Sequence, residues 1–149
     1  MAQALSPAKT KRLIAAARVA ARQAYAPYSC FPVGAAVLAG SGRVFTGANV
    51  ENACLGLGVC AERTAIFAAV AAGERQIRAV ALYTATPHPV GPCGACRQVI
   101  HEFGPDAHVV AVCDSAERLE SSIAALLPNA FGPADLLKSP KCVRPKSSS

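Results

Sequence analysis

Apolar residues recur at helical spacing at Leu13, Ile14, Ala17, Ala21 and Ala24, behind Ser6-Pro7, an N-cap followed by proline at the first helical position. The spacing predicts an amphipathic surface helix. Pro27 and Pro32, with Tyr25, Tyr28 and Phe31 around them, break that period before a short apolar run from Val33 to Ala39. Gly40-Ser41-Gly42 tolerates positive φ, and Arg43 to Val50 resumes with β-branched and aromatic residues, so two antiparallel strands are expected. Cys60 to Ala72 reads as a helix with Ile66, Phe67 and Val70 on one face and Gly73 as its stop. Ile77 to Thr84 is a nearly continuous apolar run, as in a buried central strand. Pro92 introduces a second cysteine-led helix, Cys93 to Phe103, with Val99, Ile100 and Phe103 inward and Gly104 as its end. Val109 to Val112 is a further buried strand, and Ser121 to Leu127 and Pro133 to Leu137 read as short helices. The alternation of strands with cysteine-led helices implies a layered α/β sheet.

With 149 residues, 52% of them apolar, the chain fits one compact domain over 1–138, followed by a basic, Ser/Pro/Lys-rich and disordered tail over 139–149. Seven cysteines are an odd number, and no secretory apolar segment with a cleavage site precedes them, so reduced thiols in the cytoplasm are expected. The apolar stretches, such as Ile66 to Ala72, fall short of the roughly 20 residues a membrane span needs. A formal charge of +6 raises nucleic acid as a partner, but nine of the fifteen basic residues lie near the ends. Lys9, Lys11, Arg12, Arg18 and Arg22 decorate the first segment, and Lys138, Lys141, Arg144 and Lys146 the last. That distribution lacks the stripe with interleaved aromatics that tracks a phosphate backbone. The first segment has no acidic residue, as in an organellar presequence, yet its capping and periodicity fit a helix of the mature domain better.

The chemistry concentrates in Cys60-Ala61-Glu62 and Pro92-Cys93-Gly94-Ala95-Cys96. Both fall where helices begin, and helix N-termini favour thiolates through unpaired N–H groups and the dipole. Cys93 and Cys96 stand one turn apart, so both sulfurs can reach one ion, and Cys60 joins them if adjacent parallel strands aim both helices at one sheet edge. Three protein ligands and an open fourth position mark a catalytic zinc site, whereas structural sites close all four. Three thiolates overcompensate the metal's charge, and Arg63 and Arg97, each following a cysteine motif, are placed to draw that charge off. A Cys-x-x-Cys pair alone would equally fit a redox pair or half of a structural knuckle. Neither needs Cys60 and Glu62 as well. His88, His101 and His108 read as surface or loop histidines, and Cys54 and Cys113 as small buried residues.

The pattern Cys-Ala-Glu followed by Pro-Cys-x-x-Cys resembles the zinc deaminases in their three-cysteine form. Further stretches, Tyr28 to Ala36, Asn49 to Ala53, Cys60 to Ile66, Pro92 to Gln98 and Leu126 to Pro133, resemble the small cytidine deaminases from about Tyr25 to Leu137. The resemblance implies a three-layer α/β/α fold on a mixed sheet of about five strands. It implies one Zn²⁺ per chain on Cys60, Cys93 and Cys96, with water at the open position, and Glu62 as the proton shuttle. Asn49 and Glu51 resemble the ribose-binding pair, and Phe31 the aromatic that packs on the base. The N–H of Ala61 would meet the base carbonyl, and Phe131 resembles the aromatic contributed by a neighbouring subunit of a homotetramer. Leu55 departs from the family, which often has tyrosine there.

The resemblance makes hydrolytic deamination of cytidine and 2′-deoxycytidine in pyrimidine salvage the leading expectation. Deamination of a modified cytosine nucleoside, such as a blasticidin-type antibiotic, is the alternative within the same chemistry. Related antibiotic deaminases usually lack the continuation Arg63-Thr64-Ala65, which this chain has. A nucleic-acid-binding or editing module on the same zinc fold is the third reading, disfavoured by the terminal placement of the basic residues.

Overall fold

Alternating side chains along three central strands give one sheet two apolar faces. The computed structural model describes residues 5–137; the expected tail over 139–149, with its basic residues, lies outside them. Helix α1 (Pro7–Ala21) precedes the hairpin β1 (Val33–Ala39) and β2 (Val44–Ala48). Then come α2 (Ala61–Ala71), β3 (Ile77–Thr84), α3 (Gly94–Phe103), β4 (His108–Val112), β5 (Arg118–Ser122), α4 (Ile123–Leu126) and α5 (Pro133–Leu137). The strands form a five-stranded mixed sheet in the order β2-β1-β3-β4-β5. Ala35 and Val37 of β1, Val80 and Leu82 of β3, and Val109 and Ala111 of β4 pack with Ile66 of α2 and Ile100 of α3. Their neighbours Ala36, Leu38, Ala79, Ala81, Val110 and Val112 face the other way, against Leu13 and Ala17 of α1. Side chains alternate across a strand, so the same three segments supply both cores. The result is the expected three-layer α/β/α arrangement.

Strand β1 runs antiparallel to both neighbours, β3 pairs parallel with β4, and β5 is antiparallel to β4. Strands β2, β3 and β4 therefore point the same way. Helices α2 and α3 follow β2 and β3, so both N-termini arrive at the carboxyl edge of the sheet, where α/β folds place ligands. The strands that deliver them are not neighbours as expected, because β1 lies between them.

Close helix–sheet approach depends on two glycines. A Cβ at Gly47 would lie 2.4 Å from the Ala65 nitrogen and 2.6 Å from the Ala61 oxygen, so the missing side chain is what lets the first turns of α2 sit on β2. On the opposite face, a Cβ at Gly34 would lie 2.0 Å from the Ala17 oxygen of α1.

Three expectations are corrected. The segment before Ile123 is an edge strand, β5, rather than the start of a helix at Ser121. Its half-exposed Arg-Leu-Glu-Ser-Ser sequence carries one apolar side chain and no strand signature. Phe67 does not share the inward face of Ile66; one residue is about 100° round a helix, and Phe67 is 48% exposed. The second hairpin strand ends at Ala48, two residues short of Val50.

Candidate active site and metal centre

Cys60 and Cys93 are the N-cap residues of α2 and α3, both with extended backbone, and neither uses its side chain as a cap. Their sulfurs turn instead to each other, 3.9 Å apart. Cys96, fully buried on the first turn of α3, completes a cluster whose three sulfurs lie within 4.8 Å of one another. A disulfide would bring two sulfurs to about 2.05 Å. Zinc–sulfur bonds of about 2.3 Å in a tetrahedron set them about 3.8 Å apart, and the 3.9 Å between the Cys60 and Cys93 sulfurs fits that edge. Among the described residues this is the one such group of His, Cys, Asp or Glu side chains.

The electrostatics favour a cation at this point. Burial pushes the Cys96 thiol up, with the charges of Glu62 and Cys60 adding to it. Burial also acts on Cys93, but the Cys96 N–H and hydrogen bonds from the Cys96 and Cys60 thiols outweigh it and hold that thiol below its ordinary value. Four acidic groups thus crowd a space that a soft divalent ion would neutralise. Arg63 reaches the Cys60 sulfur with Nη2 at 3.6 Å and the Gly58 carbonyl at 3.4 Å. Arg97 does not play the same part: it donates from Nε to the Pro92 carbonyl at 2.8 Å and from Nη1 to the Leu126 carbonyl at 3.0 Å. Its guanidinium ties the start of α3 to the end of α4, and the contact with the Cys60 sulfur is made by Arg63. Glu62, 4% exposed in the first turn of α2, has its carboxyl pushed up by burial. Its own N–H, the Cys96 thiol and Arg63 pull the other way without reversing the shift.

Cys60 and Cys93, with Cys96 buried behind them, form one wall of a cleft of about 370 Å³, within the usual range for small-molecule sites. Phe31, Val33, Leu82 and Val90 give it apolar sides. Ala61 also lines it, and as the first residue of α2 its N–H has no acceptor within the helix. Asn49 lines the cleft while stapling the loop before β1: its Oδ1 accepts from the Val33 N–H at 2.8 Å and its Nδ2 donates to the Phe31 carbonyl at 2.9 Å. One amide N–H and one carbonyl lone pair remain. Glu51 accepts from the Tyr28 and Ser29 N–H groups at 2.9 and 3.2 Å and from the Ser29 hydroxyl. The Ser29 hydroxyl, followed by the Tyr28 N–H, holds its carboxyl below the ordinary value. Beside them Cys30 takes a left-handed φ of 53°, turning the chain so that Phe31 enters the cleft wall.

Phe131 is not part of this cleft. It is 59% exposed, and its carbonyl accepts from Gln98 Nε2 at 2.8 Å, which fixes the loop while the ring points outward. Leu55 is also exposed and borders a shallow groove beside Tyr28 and Glu51. His88 is exposed, whereas His101 on α3 and His108 on β4 are half-buried, and none joins the sulfur cluster. Cys54 is exposed, correcting its expected burial, and Cys113 is buried as expected. Sequence reasoning missed Ser29 and Thr84, both of which line the cleft. Thr84 had one available signal, a hydroxyl at the end of an apolar strand on the same face as Val80 and Leu82.

A family model for the cytidine and deoxycytidylate deaminase zinc-binding region matches residues 7–113. Cytidine deaminase from Sporosarcina psychrophila is 47% identical over 127 residues, covering 85% of this chain and 93% of the relative. Cytidine deaminase from Halalkalibacterium halodurans is 47% identical over 125 residues, covering 83% and 95%. The crystal structure of cytidine deaminase from Burkholderia pseudomallei superposes with a TM-score of 0.78 at 50% identity, covering 81% of this chain and 98% of that one. The zinc-binding model and the three-sulfur cluster together assign one zinc to each chain. A match over most of the sequence, relatives aligned nearly end to end and a solved structure superposing over most of the chain agree that the chain belongs to the cytidine and deoxycytidylate deaminase family.

Proposed function

We propose that this chain is a cytidine deaminase, converting cytidine and 2′-deoxycytidine with water to the uridines and ammonia in cytoplasmic pyrimidine salvage. The observation that carries this reading is the juxtaposition of a buried carboxylate with three convergent thiols on the wall of a nucleoside-sized cleft. Bound on Cys60, Cys93 and Cys96, zinc supplies a Lewis acid that makes water a nucleophile near neutral pH. Arg63, on the Cys60 sulfur, withdraws charge that would otherwise blunt that effect.

Glu62 carries the protons. It takes one from the attacking water and delivers it to N3, which makes C4 electrophilic as the C4–O bond forms. It then takes the second proton from the new hydroxyl and passes it to the amine, so the C4–N bond breaks and ammonia leaves. A carboxyl whose burial raises its affinity for a proton suits both transfers. Phe31 and Val33 hold the base, the Ala61 N–H meets its 2-carbonyl, and Asn49 and Glu51 meet the sugar hydroxyls with the capacity they keep after bracing the loop. Exposed Leu57, Phe67 and Phe131 support burial against further copies in a homotetramer, with Phe131 entering a neighbour's cleft.

The direct test is purified, zinc-loaded protein with cytidine, monitored for uridine and ammonia. Turnover that falls by about 10²–10⁴ in Glu62→Gln is expected. A sample holding one zinc per chain and yielding no uridine would overturn the reading.

A further inference from the structure

Glu62 and Thr84 are the two buried polar residues among the described residues, and both line the same cleft. Glu62 has a role in the reading above; Thr84, 2% exposed, has none. A buried hydroxyl is costly unless its hydrogen-bonding capacity is used. Its proton can be located by counting. Thr86 Oγ1 donates to the His88 carbonyl at 2.7 Å, and a threonine hydroxyl has one proton. At the 2.7 Å contact between Thr84 Oγ1 and Thr86 Oγ1, the donor is therefore Thr84. What remains to Thr84 is lone pairs, so it offers a ligand an acceptor and no donor.

The sheet order says which part of a nucleoside would meet it. Asn49 and Glu51 follow β2, and Thr84 ends β3 opposite Val33 of the intervening β1. At about 4.8 Å per strand spacing, roughly 10 Å separates the two ends of the cleft. In cytidine the 4-amino group is para to the glycosidic nitrogen. A sugar at Asn49 and Glu51 therefore directs that amine toward β3. This step rests on the cytidine reading above.

We propose that Thr84 is a substrate-contact residue whose Oγ1 accepts a hydrogen bond from the 4-amino group of cytidine and from the ammonia formed from it. Uridine carries a carbonyl acceptor at the same position. Two acceptors face one another with no proton between them, so the contact favours substrate over product.

The test compares Thr84→Val, Thr84→Ser and Thr86→Val with the parent, each checked for zinc content and thermal stability. Thr84→Val is expected to lower kcat/KM for cytidine about tenfold, the scale of one lost hydrogen bond. Affinity for the pyrimidin-2-one ribonucleoside, which has no 4-substituent, is expected to stay unchanged. Thr84→Ser restores the cytidine rate. Thr86→Val removes the acceptor that holds the Thr84 proton, so the hydroxyl turns to the cleft, cytidine turnover falls and inhibition by uridine tightens. That last signature keeps the question decidable should Thr84→Val fail to fold. An unchanged cytidine rate in Thr84→Val, an equal loss for both ligands, or unaltered uridine inhibition in Thr86→Val would each overturn the proposal. Parent protein inactive on cytidine would sink the functional reading instead.

Discussion

Helices α1 and α4 begin on serines that cap them, whereas α2 and α3 begin on cysteines that do not. Ser6 Oγ accepts from the Lys9 N–H at 3.4 Å, and Ser122 Oγ from the Ala125 N–H at 3.2 Å. Cys60 and Cys93 occupy the equivalent positions with equally extended backbone but turn their sulfurs toward the cluster. A side-chain cap is worth about 0.5–2 kcal/mol. The two helices at the cleft forgo a serine cap, leaving the Ala61 N–H and the cysteine sulfurs available to ligands. Local stability and chemistry compete here for one residue position.

Exchanging the two kinds of cap gives the largest expected effect. Cys93→Ser restores a capping oxygen and removes a metal ligand. Turnover should fall below detection and bound zinc below one per chain, while the zinc-free variant unfolds about 1 kcal/mol harder than the zinc-free parent. Enzyme assay, metal analysis and denaturant titration read the three quantities. A variant that kept full activity would break the contrast between capping and ligation.

Glu62→Gln comes next, with an expected loss of about 10²–10⁴ in kcat and zinc retained. It also sharpens the stability side. A carboxyl whose folded pKa is raised contributes its stability below the unfolded value, near 4.3, and loses it as pH rises through the folded value. Zinc-free Glu62→Gln should therefore gain on the zinc-free parent as pH rises above that window, measured as the difference in melting temperature. A smaller effect is expected for Arg63→Gln, which leaves the Cys60 sulfur without its cation; about 10–100-fold in activity or zinc affinity should be lost. Smallest is Ser6→Ala, which should cost about 1 kcal/mol by denaturant titration and leave kcat untouched, because α1 lies on the face away from the cleft.

Much of this arrangement was legible in the residues because punctuation and period agreed. Ser6-Pro7, Gly73 and Gly104 bound their helices closely, and short, nearly continuous apolar runs marked β1 and β3. The three cysteines and Glu62 stood out because their types and spacing suit one ion. Edge strand β5 escaped notice because its outer side needs no apolar residue, and half-exposed strands lose their period. Phe67 was grouped on one face with Ile66 and Val70, although adjacent helix residues stand about 100° apart and only Ile66 turns fully inward. Arg97 was assigned by position beside Cys96, but a long side chain reaches whichever acceptors the fold supplies, and α4 supplies carbonyls. Thr84 and Ser29 carry no motif. Their meaning comes from hydrogen bonds to Thr86 and Glu51 that only the folded chain defines.

The insertion of β1 between β2 and β3 has a consequence for biosynthesis. Cys60 precedes Cys93 by 33 residues, and their helices converge only after β3 has docked beside β1 and carried α3 to the same edge. A chain emerging from the ribosome therefore offers Cys60 alone while β3 is still being made. The complete three-sulfur site thus exists only in a chain whose central strands β1 and β3 have paired.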